Sequence, residues 1–212
     1  MKYCLKSQNN KNLIVFFCGW GMDETPMLPL TSDSDVLYIY DYNDLNFEFD
    51  FSKYEDIKLI AFSCGVYMAS LAKDSFPHFS TKIAINGTLK PFDEDFGITK
   101  EMAATFEGIS LENCLEFREK LLVENKQELQ LFNQNSPKRT LESSLSEFEA
   151  LKKYSKIKIN EHIKYDKILI SQNDRIIPTE AQKAFWQDNF KTIPGAHFPF
   201  YNFKSLEDII NI

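Results

Sequence analysis

An α/β fold with a mostly parallel central sheet flanked by helices is what this sequence predicts, and three observations lead to it. Short apolar runs rich in β-branched and aromatic residues recur along the chain, with helical segments between them. One run leads directly into a small-x-Ser-x-Gly turn, Ala61-Phe62-Ser63-Cys64-Gly65. The alternation breaks once, across residues 90–165, where apolar residues fall at helical spacing.

The runs are Leu13 to Cys18, Val36 to Tyr40, Lys58 to Phe62, Lys82 to Ile85 and Lys167 to Ile170. Their continuous hydrophobicity suits strands buried on both faces of a parallel sheet. Tyr3 to Lys6 suits an edge strand. Inside the interruption Leu111 and Leu115 share one helical face, and Leu141, Leu145, Phe148 and Leu151 recur every three or four residues. The segment reads as a helical cap inserted into a single domain of residues 1–212. Pro91 and Gly97 punctuate its entry, and Asn133 to Pro137 mark a turn within it.

Composition narrows the class. A hydrophobic content of 43% belongs to a globular chain. Nineteen Phe and nine Tyr either fill the core or line an acyl pocket. A net charge of -7 leaves no overall basic field for nucleic acid. The opening Met1-Lys2-Tyr3-Cys4-Leu5-Lys6 lacks an apolar leader and no later run approaches spanning length, so no membrane association and a cytoplasmic location are expected. Cysteines 4, 18, 64 and 114 show neither zinc-site spacing nor disulfide density and read as free thiols.

The turn at residues 61–65 follows a strand-like run and precedes the helical Val66-Tyr67-Met68-Ala69-Ser70-Leu71-Ala72. Strand, sharp turn and helix make a nucleophile elbow with Ser63 at its tip, where small residues two before and two after let strand and helix approach. Downstream, Lys167 to Ser171 resumes the sheet and ends in Gln172-Asn173-Asp174-Arg175-Ile176-Ile177-Pro178, a polar loop of the kind in which α/β folds gather catalytic groups. Asp174 stands where a triad acid belongs, though a solvated loop aspartate would read the same way. The following Thr179-Glu180-Ala181-Gln182 has capping-box form, which opens a helix without needing Asp174. Of three histidines, His78 and His162 read as surface or packing residues, whereas His197 lies in the Gly- and Pro-bounded loop Pro194-Gly195-Ala196-His197-Phe198-Pro199-Phe200, after the short run Phe190 to Ile193. Ser63, Asp174 and His197 follow the serine, acid, histidine order of α/β-hydrolases.

That chemistry also needs donors for an oxyanion. The amide after the nucleophile, here Cys64, is one, and an amide in a loop after an earlier strand is the other. Cys18-Gly19-Trp20-Gly21-Met22-Asp23 follows a strand directly, and Trp20 is its natural donor. A tight turn alone would explain the glycines, less readily an exposed tryptophan between them.

Gly19-Trp20-Gly21-Met22-Asp23, the elbow near residue sixty, the Asp-x-Ile-Ile-Pro loop and the Gly-x-His-x-Pro-Phe segment together resemble the BioG-type pimeloyl-[acyl-carrier protein] methyl ester esterases, almost end to end. Gly-Trp-Gly is shared with the related BioH-type esterases, but the Met-Asp continuation, the compact length and the His-x-Pro-Phe segment fit BioG better. Ala61 departs from the commonest elbow glycine by one methyl group. The resemblance implies hydrolysis of the methyl ester on pimeloyl-carrier protein in biotin synthesis, with Ser63 as nucleophile, His197 as general base and acid, Asp174 orienting the imidazole, and no metal or organic cofactor. It also implies an acidic carrier protein as partner. Lys152, Lys153, Lys156, Lys158, Lys164 and Lys167 against only Glu161 and Asp166 form a candidate docking patch, with Lys138 and Arg139 nearby in sequence. A solvated helix face reads the same way. A general carboxylesterase or thioesterase acting on small esters stays open, as does a non-catalytic hydrolase-like binding module.

Overall fold

The apolar runs pair into one seven-stranded sheet in the computed structural model, which describes residues 1–212. The strands are β1 (Lys2–Lys6), β2 (Asn12–Phe17), β3 (Asp35–Tyr40), β4 (Asp56–Phe62), β5 (Thr81–Ile85), β6 (Lys167–Ser171) and β7 (Lys191–Ile193). Their order is β1-β3-β2-β4-β5-β6-β7, with β1 antiparallel to β3 and all other neighbours parallel. Residues 13–17 of β2 and 59–62 of β4 are all essentially inaccessible to water, which is why these strands are apolar without alternation.

The strand order reverses direction at β2 and β4. The chain steps from β2 outward to β3 and then returns across β2 to β4, so the loops leaving β2 and β4 diverge and leave a crevice between them. Both loops carry functional candidates, the first Trp20 and the second Ser63. Register holds them level, with Phe17 beside Ala61 and Ala61 beside Ala84. Helix α1 (Cys64–Leu71) leaves β4 at once, and after β6 the chain enters α6 (Thr179–Trp186), β7 and α7 (Leu206–Ile210).

Between β5 and β6 lie α2 (Lys100–Glu107), α3 (Cys114–Phe117) running into a wide turn at Arg118–Leu122, α4 (Lys126–Gln134) and α5 (Leu141–Tyr154). Three start where a side chain satisfies a free amide: Thr99 accepts from Met102, Asn125 from Glu128 and Thr140 from Ser143. They bury Phe106, Phe132, Phe148 and Leu151. Phe106 packs edge-on against Phe148 at 5.3 Å, and Phe132 against Phe198 at 5.1 Å. Leu111 and Leu115 do not belong to this core: they are 82% and 55% exposed. Helical spacing relates them, but Leu111 precedes α3, which is a single turn with no buried residue of its own.

Asp35 at the start of β3 fixes the far end of the sheet. Its carboxylate accepts from the amides of Gln8 and Asn10, the hydroxyls of Ser7 and Tyr54, and Lys53. Burial alone would push its pKa up, but these donors outweigh burial and hold it well below the usual carboxylate range. A depressed folded-state pKa contributes stability that is present above the unfolded value near 4 and lost as pH falls toward the folded one. Asp35→Asn is therefore expected to lower stability by about 2–3 kcal/mol at neutral pH. It should also flatten the loss of stability below about pH 4, which urea melts across pH 2–7 will measure.

Candidate active site

Ser63 sits at the tip of the β4–α1 turn with φ 56° and ψ -128°, a conformation that L residues adopt only under constraint. Backbone crowding supplies the constraint. A Cβ on Gly65 would lie 2.5 Å from the Phe17 carbonyl oxygen, and one on Gly87 would lie 2.4 Å from that of Ser63. The Ser63 amide donates to Ile85, which ties the tip to β5.

His197 comes to this tip from the loop after β7. Its Nε2 lies 2.9 Å from Ser63 Oγ, and its Nδ1 lies 2.9 Å and 3.0 Å from the two oxygens of Asp174. Ser63, Asp174 and His197 are each no more than 5% exposed. Because Asp174 accepts at Nδ1, that nitrogen carries the proton, leaving Nε2 free to accept from the serine hydroxyl. Phe62 covers the imidazole at 5.0 Å.

Asp174 is surrounded by donors. Oδ1 accepts from the amides of Ile176 and Ile177, and Oδ2 accepts from Gln182 Nε2 at 2.8 Å. The capping box expected at Thr179-Glu180-Ala181-Gln182 is absent. Thr179 is the first residue of α6, its hydroxyl donates to Ser171 and accepts from the Asp174 amide, and Gln182 turns inward to the aspartate. Gln182 is drawn to the buried aspartate, whose Oδ2 would otherwise lack this donor, and the Thr179 hydroxyl to the backbone of residues 171 and 174.

Asn86 is a further site residue that sequence reasoning missed. At φ 48° beyond β5, its Nδ2 donates to the His197 carbonyl at 2.8 Å and to Ser171 Oγ at 2.7 Å, while its Oδ1 accepts from the Ser171 amide. It thereby joins the loop of the histidine to the strand that ends near the acid. A polar residue directly after the apolar run 82–85 was the available signal.

Trp20 and Cys64 line the cleft together with Ser63, and neither amide is spent on a hydrogen bond within the chain. Trp20 is half-buried rather than exposed, stacked 4.7 Å from Phe106 with its indole N–H donated to the Ser144 carbonyl. Gly19 passes so close to the elbow that a Cβ would meet Phe62 at 3.0 Å and Ser63 Cβ at 3.2 Å. Burial pushes the Cys64 thiol up to about 12, so it is an inert neighbour of the serine. All four cysteines are unpaired, and no group of three His, Cys, Asp or Glu side chains is gathered to hold a metal ion.

Above the elbow opens a cleft of about 960 Å³ including its mouth. Met22, Phe62, Phe106, Phe117, Leu122 and Phe132 give it mostly apolar walls. Some of the abundant aromatics thus line the cleft, and others, such as Phe16 and Phe200, fill the core. Arg118 stands on the wall over the Phe132 ring, its Nη1 donating to Asn133 and Ser136 and paired with no carboxylate. His78 is exposed, His162 is half-buried, and neither reaches the cleft.

The sheet, the elbow and the helices over it define an α/β-hydrolase. The chain belongs to the family described as pimeloyl-ACP methyl esterase BioG, which matches residues 1–209. As a member it is a carboxylic ester hydrolase, cleaving the methyl ester of pimeloyl-carrier protein in biotin synthesis. The crystal structure of BioG from Haemophilus influenzae superimposes with a TM-score of 0.85 at 27% identity, covering 98% of this chain and 99% of that one. An uncharacterized protein of the same organism is 30% identical over 96% of both chains. A malonyl-[acyl-carrier protein] O-methyltransferase of Bacteroides fragilis is 34% identical over 89% of this chain, which spans 40% of that longer protein. An esterase from Exiguobacterium antarcticum shares the fold at 14% identity and a TM-score of 0.63.

Proposed function

We propose that Ser63, His197 and Asp174 carry the ester hydrolysis, with the amides of Trp20 and Cys64 holding the oxyanion. The single observation behind this reading is the unbroken chain Ser63 Oγ, His197 Nε2, His197 Nδ1, Asp174, each link near 2.9 Å. Ser63 Oγ attacks the ester carbonyl as His197 Nε2 takes its proton, and the carbonyl oxygen becomes an anion facing the two free amides. Collapse expels methoxide, which leaves as methanol with the proton from His197. The acyl group is then an ester of Ser63. Water enters the vacated place, gives a proton to His197 and attacks, and collapse returns that proton to Ser63 and frees the pimeloyl carboxylate.

The apolar cleft suits a methylene chain whose far end remains attached to a carrier outside. A longer relative named for methylating a malonyl carrier fits an ester that is installed early and removed here. For the carrier we retain Lys152, Lys153, Lys156 and Lys158 as the docking patch, with the lysines at 153, 156 and 158 exposed and in no ion pair. Lys152 is already bridged to Glu107 and Glu149. Arg139 drops out of this patch because its side chain is 6% exposed and is paired internally with Asp41 and Glu147. Helix α5 carries both Ser144 at the cleft and Lys153, about 14 Å apart along its axis at 1.5 Å per residue. No helix is long and apolar enough to cross a membrane, and the cytoplasm is the location that suits this substrate.

The test compares methyl pimeloyl-carrier protein with dimethyl pimelate and a short nitrophenyl ester. Fast cleavage of the first and slow cleavage of the others is expected. Ready cleavage of small esters with the carrier-bound ester untouched would leave the triad and remove the carrier as substrate. Lys153→Glu/Lys156→Glu should raise KM severalfold for the carrier-bound ester alone, through lost charge complementarity. Equal effects on small esters would eliminate the patch.

A further inference from the structure

We propose that Glu147, a buried side chain of α5, positions the oxyanion loop, so that the cap is part of the machinery that sets Trp20 in place. The inference rests on the assignment of Trp20 and Cys64 as oxyanion donors. Glu147 is fully buried within a cap otherwise packed by Phe148, Leu151 and Phe106. A carboxylate withdrawn from water is costly unless its oxygens are engaged, and an apolar side chain would serve the packing alone. Both of its oxygens are committed to the loop and its support. Oε2 accepts from the Gly21 amide at 2.9 Å and from Arg139, and Oε1 accepts from the Tyr42 amide at 2.9 Å.

Tyr42 completes the arrangement, because its hydroxyl donates to the Cys18 carbonyl at 2.7 Å. The peptide plane between residues 18 and 19 is thus held through Tyr42, and the plane between 20 and 21 through Glu147. The plane between 19 and 20, which carries the Trp20 N–H, lies between these anchors, and its carbonyl accepts from the Met22 amide. Gly21 at φ 69° permits the turn but cannot fix it, since glycine by itself moves freely between backbone conformations. An oxyanion donor acts through where it points before the reaction begins, so losing either anchor should lower turnover more than substrate affinity.

The experiment measures kcat and KM on both carrier-bound and nitrophenyl esters, affinity for a trifluoromethyl ketone that forms a tetrahedral adduct, and Tm. The variants are Glu147→Gln, Glu147→Leu/Arg139→Leu and Ser63→Ala. Removing both members of a buried ion pair for apolar residues commonly preserves folding, and Asp41 keeps Lys2 as its partner. The double variant should fold with a lowered Tm, because the Gly21 and Tyr42 amides lose their acceptor, and lose kcat about 10- to 100-fold on both esters with KM little changed, below the 10² to 10³ of an entire oxyanion donor. Ketone affinity should fall by the same factor. Glu147→Gln keeps one acceptor and should lie between the double variant and wild type. Wild-type kcat in a folded double variant, or a loss confined to KM, overturns the proposal. Should the double variant not fold, unchanged kcat and ketone affinity in the isosteric Glu147→Gln overturns it equally. Turnover that survives Ser63→Ala would instead defeat the triad assignment, whatever position 147 does.

Discussion

Ser63→Ala is expected to lower kcat on the carrier-bound ester by about 10⁴- to 10⁶-fold without loss of fold. The substitution removes one oxygen and leaves the Cβ in place, so the constrained backbone at φ 56° gains no new clash. Only one strong interaction goes, the hydrogen bond to His197 Nε2. On the proposed mechanism, without Oγ no acyl intermediate forms, and the remaining rate is water attack aided by the amides assigned to the oxyanion. The measurement is single-turnover release of methanol, with labelling by a fluorophosphonate as a second readout of the activated hydroxyl. A variant that retained a hundredth of wild-type kcat would show that another group is the nucleophile.

Asp174→Asn is the next largest effect, about 10⁴-fold in kcat with little change in KM. The reason lies in the partners of the side chain, all of which donate: two backbone amides, Gln182 and the imidazole. A carboxylate can accept from all four, whereas an amide side chain offers one acceptor and one donor group. If the oxygen of that amide stays on the Ile176 and Ile177 N–H groups, its nitrogen faces His197 and Gln182. Donating to Nδ1 forces the proton onto Nε2, and the imidazole then donates to Ser63 where it should accept. Adding Gln182→Glu to Asp174→Asn returns a carboxylate to the network but not the tautomer, so kcat should stay low. Recovery there would mean that charge near the imidazole, and not its tautomer, is what the aspartate supplies.

The local features of this site were legible and the long-range ones were not. Ser63, Asp174 and His197 each stand at a strand end marked by an apolar run followed by polar or glycine-rich residues, and such signals lie within a dozen positions of the residue itself. Trp20 carries the same kind of signal, but its burial does not, because Phe106 and the Ser144 carbonyl that cover it lie far along the chain. The capping-box reading of Thr179 and Gln182 failed for a related reason. A capping motif is defined by spacing, and these side chains are taken by an aspartate whose own position depends on the folded loop. Asn86 carries only the weak signal of a polar residue after an apolar run, and Glu147, on an ordinary amphipathic helix, carries none. The spacing of Leu111 and Leu115 put them on one helical face, but periodicity does not say what covers a face, and both are exposed.

The atoms that approach the elbow's glycines 65 and 87 most closely are main-chain carbonyl oxygens. The methylene that any larger residue would add at 65 meets the carbonyls of Phe17 and Cys18, and at 87 that of Ser63. A collision between side chains can be relieved by trimming the neighbour, so the cost of one substitution is recoverable through a second. Carbonyl oxygens cannot be trimmed. Positions 65 and 87 therefore have no compensating partner in the genetic sense, and the turn that presents Ser63 can be inherited or lost as a block but not remodelled in steps. The cleft above it is bounded by interchangeable side chains and has no such restriction, which leaves substrate range free to drift across an elbow that cannot.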